Sequence, residues 1–284
     1  MLRSTIQLLR FHFSFFLMPV FWFALSFTKN IIITDSILVF IILHLLVYPA
    51  SNGYNSYMDK DTASIGGIEK PLPPTKQLFV VSVIMDMLAI LTSLYISFIF
   101  SAGIVLYVLA SRAYSYRGIR LKKYPVTGYL TVMIFQGALV FALVYHGAAD
   151  DKTTDVPLVG MIAAALLIGG FYPLTQIYQH TQDKEDGVKS ISLMLGYKGT
   201  FICSALIFTT AMLSLAAMLT EAGLWNIFII FSLFFLPVLL YFFWWAAKVW
   251  RSHIYADFRK TMGMNLIASV CTNAAFIYLF INRH

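Results

Sequence analysis

Long apolar stretches divide the 284-residue chain, and they restrict its fold more than any other feature. A helix needs ~20 consecutive, mostly apolar residues to cross the hydrocarbon core of a bilayer. The stretches that approach this length are 11–28, 31–57, 77–97, 99–116, 125–146, 156–180, 199–220, 224–247 and 261–281. The fourth is the weakest. The pattern predicts an all-α polytopic membrane protein with nine transmembrane helices, forming one integral-membrane domain over residues 1–284.

The composition excludes a soluble protein. Hydrophobic residues make up 60% of the chain and charged residues only 12%, which no soluble domain of this size can accommodate. The first stretch is long for a signal peptide and lacks a clear cleavage site with small residues, so we interpret it as a membrane helix. Cys203 and Cys271 both lie within apolar stretches, which argues against a disulfide framework.

Positive charges alternate between the two sides of the predicted membrane. The N-terminus and the loops after the even-numbered helices carry seventeen Lys and Arg residues. The opposite side carries three, which are Lys29, Lys152 and Arg283. Because basic residues accumulate on the cytoplasmic side of membrane proteins, this bias predicts a cytoplasmic N-terminus. A bacterial inner membrane is the expected location.

A polar segment over residues 51–76 follows the second apolar stretch. Asn52, Asn55 and Asp59 are spaced by three and four residues, so a continuing helix presents all three on one face. Asp61 follows, and it can join Asp59 only if the helix ends directly after Asp59, because successive residues of a helix point in different directions. Oxygen ligands of this kind suit Mg²⁺ bound together with a phosphorylated ligand. The alternative is a solvated helix end with ordinary flanking charges.

A second polar segment over residues 178–196 follows the sixth apolar stretch. Asp183 and Asp186 lie three residues apart, and Lys189 comes after a glycine. Two carboxylate clusters on the same side of the membrane, each followed by lysine, are hard to explain as coincidental solvation. If the clusters face one another, four carboxylates can hold two Mg²⁺ ions around a diphosphate.

With these two motifs, the chain resembles a known family, the UbiA superfamily of intramembrane prenyltransferases, over nearly its full length. The residues that match the first signature of the family are Asn55, Asp59 and Lys70-Pro71-Leu72. Those that match the second are Asp183, Asp186, Gly187 and Leu195-Gly196. Two shorter elements after the fourth helix are also similar, namely Tyr114-Ser115 and Leu121-Lys122.

The resemblance implies nine helices around a lipid-accessible cavity and Mg²⁺-dependent transfer of a prenyl group from its diphosphate to a lipophilic acceptor. It implies metal ligands at Asn55, Asp59, Asp61, Asp183 and Asp186, of which Asp59, Asp183 and Asp186 are the catalytic candidates. It implies diphosphate contacts at Asn55, Lys70, Lys76, Lys122 and Lys189. The chain departs from the family pattern by having Ser56 and Ala63 where aspartates are common, and Lys70 where arginine is usual.

Two other functions remain open on the residues alone. One is a terpene cyclase on the same scaffold, which ionises the same donor without an acceptor. The other is a non-enzymatic transporter or lipid-binding protein whose acidic groups bind cations. A transporter is favoured by inverted repeats or paired half-helices, and the sequence displays neither. No nucleic acid or protein partner is expected.

Overall fold

The computed structural model describes residues 1–60 and 63–284, and its regular structure is helical. The helical segments are α1 (Arg3–Phe16), α2 (Met18–Phe27), α3 (Ile33–Asp59), α4 (Lys76–Ser93), α5 (Phe98–Ser115), α6 (Pro125–Ala148), α7 (Leu158–Glu185), α8 (Ile191–Glu221), α9 (Trp225–Leu233), α10 (Leu236–Arg251) and α11 (Phe258–Arg283). Within the described residues, seven helices are long and apolar enough to span a membrane singly. The number rises to nine when α1–α2 and α9–α10 each count as one bent span.

The all-helical polytopic prediction is therefore confirmed, and each predicted stretch coincides with a helix or a bent pair. The weakest stretch forms the full helix α5. Backbone breaks lie close to two of the predicted starts. Arg10 has φ 49° directly before residue 11, and Gly196 has φ 67° shortly before residue 199 and kinks α8. The helical turns before these breaks contain polar residues, so hydropathy did not include them in the predicted stretches.

Side-chain caps fix several of these helix starts. Ser97 accepts a hydrogen bond from the backbone N–H of Phe100 at 2.9 Å and begins α5. Asp257 accepts one from Lys260 at 2.8 Å and begins α11. Such caps satisfy backbone donors that have no partner within the helix.

The chain divides into two compact units. The first unit contains Met1–Phe15, Thr28–Leu121 and Leu143–Thr154. The second unit contains Phe16–Phe27, Lys122–Ala142 and Asp155–His284. The segment that follows the second apolar stretch lies in the first unit, and the segment that follows the sixth lies in the second.

An apolar core and a buried ion pair hold the first unit together. Leu9, Ala50 and Leu78 are fully buried where α1, α3 and α4 pack. Between α4 and α5, the Arg112 guanidinium donates a hydrogen bond to the Asp86 carboxylate. An ionisable residue within a membrane helix requires such a partner, because hydrocarbon does not solvate charge.

Aromatic and small residues dominate the packing of the second unit. The ring of Phe23 on α2 stacks on Phe276 of α11, with centroids 4.7 Å apart. On α6, a Cβ added to Gly137 would lie 2.5 Å from the Cα of Ala165 on α7, so only glycine fits. Close backbone approach at small residues is the usual way in which membrane helices associate.

Candidate active site

The first candidate motif forms the end of α3. The helix continues to Asp59, and Lys60 ends it in the left-handed conformation with φ 55°. Asn55 and Asp59 are therefore one turn apart on the same face, as predicted. The condition for Asp61 to join Asp59, a helix that ends directly after Asp59, is met. Asp61 itself lies outside the described residues.

The end of α5 supports the amide of Asn55. The Ser115 hydroxyl donates a hydrogen bond to Asn55 Oδ1 at 2.7 Å. This contact orients the amide, whose carbonyl oxygen is a type of ligand that suits Mg²⁺. One turn earlier, the Ser51 and Ser111 hydroxyls are 2.6 Å apart and join the same two helices.

Two arginines of the loop after α5 reach the last turn of α3. Arg117 Nε donates to the carbonyl oxygen of Met58 at 2.7 Å. A guanidinium nitrogen of Arg120 lies 3.7 Å from Asp59 Oδ1, and the Asp59 side chain is only 7% exposed. Sequence reasoning did not indicate that Arg120 lies beside the Asp59 carboxylate. The predicted diphosphate contact of this region, Lys122, follows two residues later and stays a prediction.

Residues of α1 hold the loop that contains Lys70. The side-chain amide of Gln7 donates to the carbonyl oxygen of Lys70 at 3.3 Å and accepts from the N–H of Leu72 at 2.8 Å. Arg10 donates to the carbonyl oxygens of Gly66 and Asn52, at 3.2 Å and 3.3 Å. These contacts leave the side chain of Lys70 exposed.

Gln7 and Arg10 were missed by sequence reasoning, since they lie more than forty residues from the loop residues that they bind. Their only sequence signal is the placement of polar residues immediately before an apolar stretch. Lys76, the second lysine predicted for this loop, begins α4 and has an exposed side chain.

The second candidate motif forms the junction between α7 and α8. The Ser190 hydroxyl donates a hydrogen bond to Asp183 Oδ2 at 2.5 Å. The same hydroxyl caps α8 by accepting from the N–H of Leu193 at 3.3 Å. Gly187 makes the turn between the helices with φ 63°, a conformation that glycine adopts without steric cost. The hydrogen bond from Ser190 therefore connects the Asp183 carboxylate to the start of α8.

The charged residues around this junction point outward. Asp186 directly follows α7 and is exposed, and the side chain of Lys189 is exposed as well. The N–H of Lys189 donates to the carbonyl oxygen of Lys123 at 3.4 Å. Lys123, which directly follows the predicted Lys122, therefore lies beside Lys189.

A buried polar network underlies the junction. The His180 ring nitrogen Nε2 and the Ser192 hydroxyl are 2.8 Å apart, and the Ser192 hydroxyl lies 2.9 Å from that of Thr200. Gln176 donates to the Tyr172 hydroxyl at 3.0 Å and accepts from the N–H of Ser192 at 3.4 Å. Sequence reasoning missed His180 and Ser192, which fix how α7 meets α8.

The donor groups of both motifs fit Mg²⁺. Among the described residues, no three His, Cys, Asp or Glu side chains form a group that holds a metal by itself. Mg²⁺ is commonly bound by one or two carboxylates together with substrate phosphates. Asp59 and Asp186 each lie where a helix ends, so the partial negative charge of the terminal carbonyls adds to that of the carboxylate. Both helix ends therefore favour a bound cation.

The helical fold defines a polytopic membrane protein, and its two motifs contain oxygen ligands of the kind that suits Mg²⁺ bound together with a phosphorylated ligand. The model of the UbiA prenyltransferase family matches residues 16–267, and the chain belongs to this family. It is thus an intramembrane prenyltransferase, whose reaction is Mg²⁺-dependent transfer of a prenyl group from an isoprenyl diphosphate to a lipophilic acceptor. Comparison with curated proteins gave no significant match.

Solved structures share the fold over almost the whole chain. A UbiA homologue from Aeropyrum pernix K1 is 19% identical with a TM-score of 0.71, over 94% of this chain and 98% of the other. A UbiA homologue from Archaeoglobus fulgidus bound to GPP and Mg²⁺ is 17% identical with a TM-score of 0.69, over 97% and 99%. A digeranylgeranylglyceryl phosphate synthase is 16% identical with a TM-score of 0.63, over 99% and 98%.

Proposed function

We propose that both motifs serve one active site in a single domain over residues 1–284. In this proposal, the residues that bind Mg²⁺ together with the donor diphosphate are Asn55, Asp59, Asp61, Asp183 and Asp186. The observation that carries the proposal is the position of Asp59 and Asp186, each where a motif helix ends and the helix dipole favours a cation. The Archaeoglobus fulgidus homologue, which binds GPP and DMAPP together with Mg²⁺, supports it.

The lysines of the motif loops contact the diphosphate in this proposal. They are Lys70, Lys76, Lys122 and Lys189. An ammonium group serves as a point charge for phosphate oxygens, and the exposed side chains of Lys70, Lys76 and Lys189 can turn toward a ligand. Ser115 orients the Asn55 amide, and Ser190 orients the Asp183 carboxylate.

The reaction breaks the bond between C1 of the prenyl group and the diphosphate oxygen, which keeps the electron pair. A nucleophilic atom of the acceptor then bonds to C1 and releases a proton. Bound Mg²⁺ supplies positive charge for the negative charge that develops on the leaving diphosphate. We propose an aromatic or other lipophilic acceptor, which approaches from the bilayer.

An assay with purified protein tests this function. Labelled isoprenyl diphosphate and Mg²⁺ are incubated with and without candidate acceptors, and EDTA serves as the metal control. The proposal expects a prenylated acceptor only when both Mg²⁺ and acceptor are present. A cyclised hydrocarbon formed without acceptor would instead identify a terpene cyclase.

The charge bias leads us to propose that both motifs face the cytoplasm, in a bacterial inner membrane. Glu69→Cys and Asp151→Cys test this orientation in a chain that carries Cys203→Ser and Cys271→Ser. Both test positions are exposed. Glu69 follows the end of α3 in the chain, whereas Asp151 lies near its start in space, because the N–H of the neighbouring Asp150 donates to the carbonyl oxygen of Asn30 at 3.1 Å. Position 66 is less suitable, since a Cβ there would lie 2.9 Å from the ring of Phe13. Labelling of Cys at position 69 from outside intact cells would refute the orientation.

A further inference from the structure

Arg120 and Asp59 form a loose ion pair at the end of α3. The Arg120 nitrogen is 3.7 Å from Asp59 Oδ1, whereas a charge-assisted hydrogen bond is about 2.7–2.9 Å long. The Nε atom of Arg120 is buried and makes no hydrogen bond within residues 1–60 and 63–284. The guanidinium therefore retains donors for another acceptor.

A second Arg–Asp pair of the same unit shows the contrast. Arg112 donates directly to the Asp86 carboxylate, and its guanidinium also lies over the ring of Tyr54, 3.8 Å from the centroid. This arginine is held by two partners between membrane helices. Arg120 instead belongs to the loop that leaves α5 and has a longer contact with its aspartate.

Hydrogen bonds fix the backbone around Arg120, so a change in the position of its side chain does not require the backbone to move. The carbonyl oxygen of Tyr116 accepts hydrogen bonds from the N–H groups of Ile119 and Arg120, at 3.0 Å and 2.7 Å. Arg117 anchors the same turn to the carbonyl oxygen of Met58 at 2.7 Å. A guanidinium at the end of a long side chain can change partners without any change in this turn.

A metal ion and Arg120 compete for the same carboxylate. Asp59 is 7% exposed, and a nearly buried carboxylate needs a positive neighbour. When a divalent cation provides that charge at about 2.0–2.1 Å, the nearby guanidinium becomes a repelling like charge. An anion beside the metal removes the repulsion, because it accepts hydrogen bonds from the guanidinium.

We propose that Arg120 is the counter-ion of Asp59 in the metal-free protein and transfers to the diphosphate when metal and diphosphate bind together. The inference rests on the proposed role of Asp59 as a metal ligand. It makes metal and diphosphate binding mutually dependent: each binds weakly alone, because the metal must displace Arg120 and the diphosphate must draw Arg120 from Asp59. By linkage, each ligand raises the affinity for the other by the same factor.

Metal binding without any diphosphate tests the inference directly. Mn²⁺ is titrated into purified, detergent-solubilised protein, and free Mn²⁺ is measured by electron paramagnetic resonance. Arg120→Gln is expected to bind Mn²⁺ about 5-fold more tightly than the wild type, a coupling of ordinary size. Its affinity for inorganic diphosphate at saturating Mg²⁺, measured by calorimetry, is expected to fall by a similar factor. Unchanged or weaker Mn²⁺ binding by Arg120→Gln would overturn the proposal.

Arg117→Gln is the matched control. It removes the same charge from the same turn, but Arg117 contacts a backbone carbonyl rather than Asp59. Its Mn²⁺ affinity is expected to equal that of the wild type, and equal tightening in both variants would refute the specific role of Arg120. Arg120→Met repeats the test if the Gln variant unfolds. Arg120→Lys keeps the charge and should stay close to the wild type.

Asp59→Asn separates failure of this inference from failure of the proposed function. If Asp59→Asn binds Mn²⁺ as the wild type does, Asp59 is not a metal ligand and the proposed site itself fails. If Asp59→Asn loses binding while Arg120→Gln shows no tightening, the metal site stands and only the exchange of Arg120 is refuted.

Discussion

The two motif regions hold their carboxylates by different means. Asp59 is the last residue of α3 and is almost buried, with a guanidinium of a neighbouring loop beside it. Asp183 is partly exposed in the last turn of α7 and accepts a hydrogen bond from Ser190, the residue that caps the start of α8. One carboxylate has a charged partner on a long side chain, and the other has a short neutral partner that is part of a helix cap.

The difference indicates a division of tasks between the regions. A cationic partner exchanges readily for another cation, so the Asp59 region can respond to the ligand that it binds. A cap residue cannot leave without exposing backbone donors, so the Asp183 region keeps its geometry. In the proposed site, the first region would therefore govern the charge balance, and the second region would provide a fixed anchor.

Removal of the Asp59 or the Asp183 carboxylate is expected to have the largest effect, which is on turnover. Asp59→Ala and Asp183→Ala should each lower turnover about 100-fold or more, because several kcal/mol of charge stabilisation in the transition state are lost with the metal. The double variant should be little slower than either single variant, since residues that act as one unit are not additive. Steady-state kinetics with thermal unfolding as a folding control measures this. Two folded single variants with near-normal rates would show that the regions do not share a site.

Loss of the hydrogen bond from Ser115 to Asn55 is expected to have the next largest effect, which is on the Mg²⁺ dependence of the rate. Ser115→Ala removes the donor that orients the Asn55 amide and should raise the Mg²⁺ concentration for half-maximal rate about 10-fold, as loss of outer-shell partners commonly does. Ser111→Ala is the control, because that hydroxyl joins the same two helices through Ser51, which is not a ligand. Equal shifts in both variants would mean that helix packing, not amide orientation, sets metal affinity.

Ser190→Ala tests the anchor of the second region. Loss of an N-cap should lower the free energy of unfolding by about 1 kcal/mol, and release of Asp183 should also weaken Mg²⁺ binding. Ser97→Ala removes a comparable cap at the start of α5 and should lower stability without changing the Mg²⁺ dependence. A Ser190→Ala protein with lowered stability but unchanged Mg²⁺ dependence would show that Asp183 needs no orientation by the cap.

Apolar length predicted the helices well, and the motif spacing predicted the shared face of Asn55 and Asp59. These features depend on neighbours within a few turns of one chain segment. The contacts of Gln7 with Lys70 and of Arg120 with Asp59 connect segments about sixty residues apart, and no local pattern specifies them. The sequence also did not indicate that Arg120 lies beside Asp59, because this contact depends on the direction of the turn after α5. Arg120 has φ 49° in that turn, a conformation that a sequence does not reveal for arginine.

The smallest expected effect concerns Asp61. Asp61 can join Asp59 at the metal only if α3 ends directly after Asp59, and Lys60 with its left-handed backbone angles ends the helix there. Asp61→Asn should therefore raise the Mg²⁺ concentration for half-maximal rate by a few-fold, since Asn55 and Asp59 remain. An unchanged Mg²⁺ dependence would show that the first region binds metal through Asn55 and Asp59 alone.

Ala63 provides the matched comparison for Asp61. On a continuous helix it would share a face with Asp59, and Ala63→Asp would restore the carboxylate common in the family. In the structure Ala63 is exposed in a bend beyond the end of α3. Ala63→Asp in the Asp61→Asn protein should therefore fail to restore the Mg²⁺ dependence, although it restores the net charge of the loop. Full recovery would mean that charge near α3 matters more than its position, and the first region would then attract the metal without a defined third ligand.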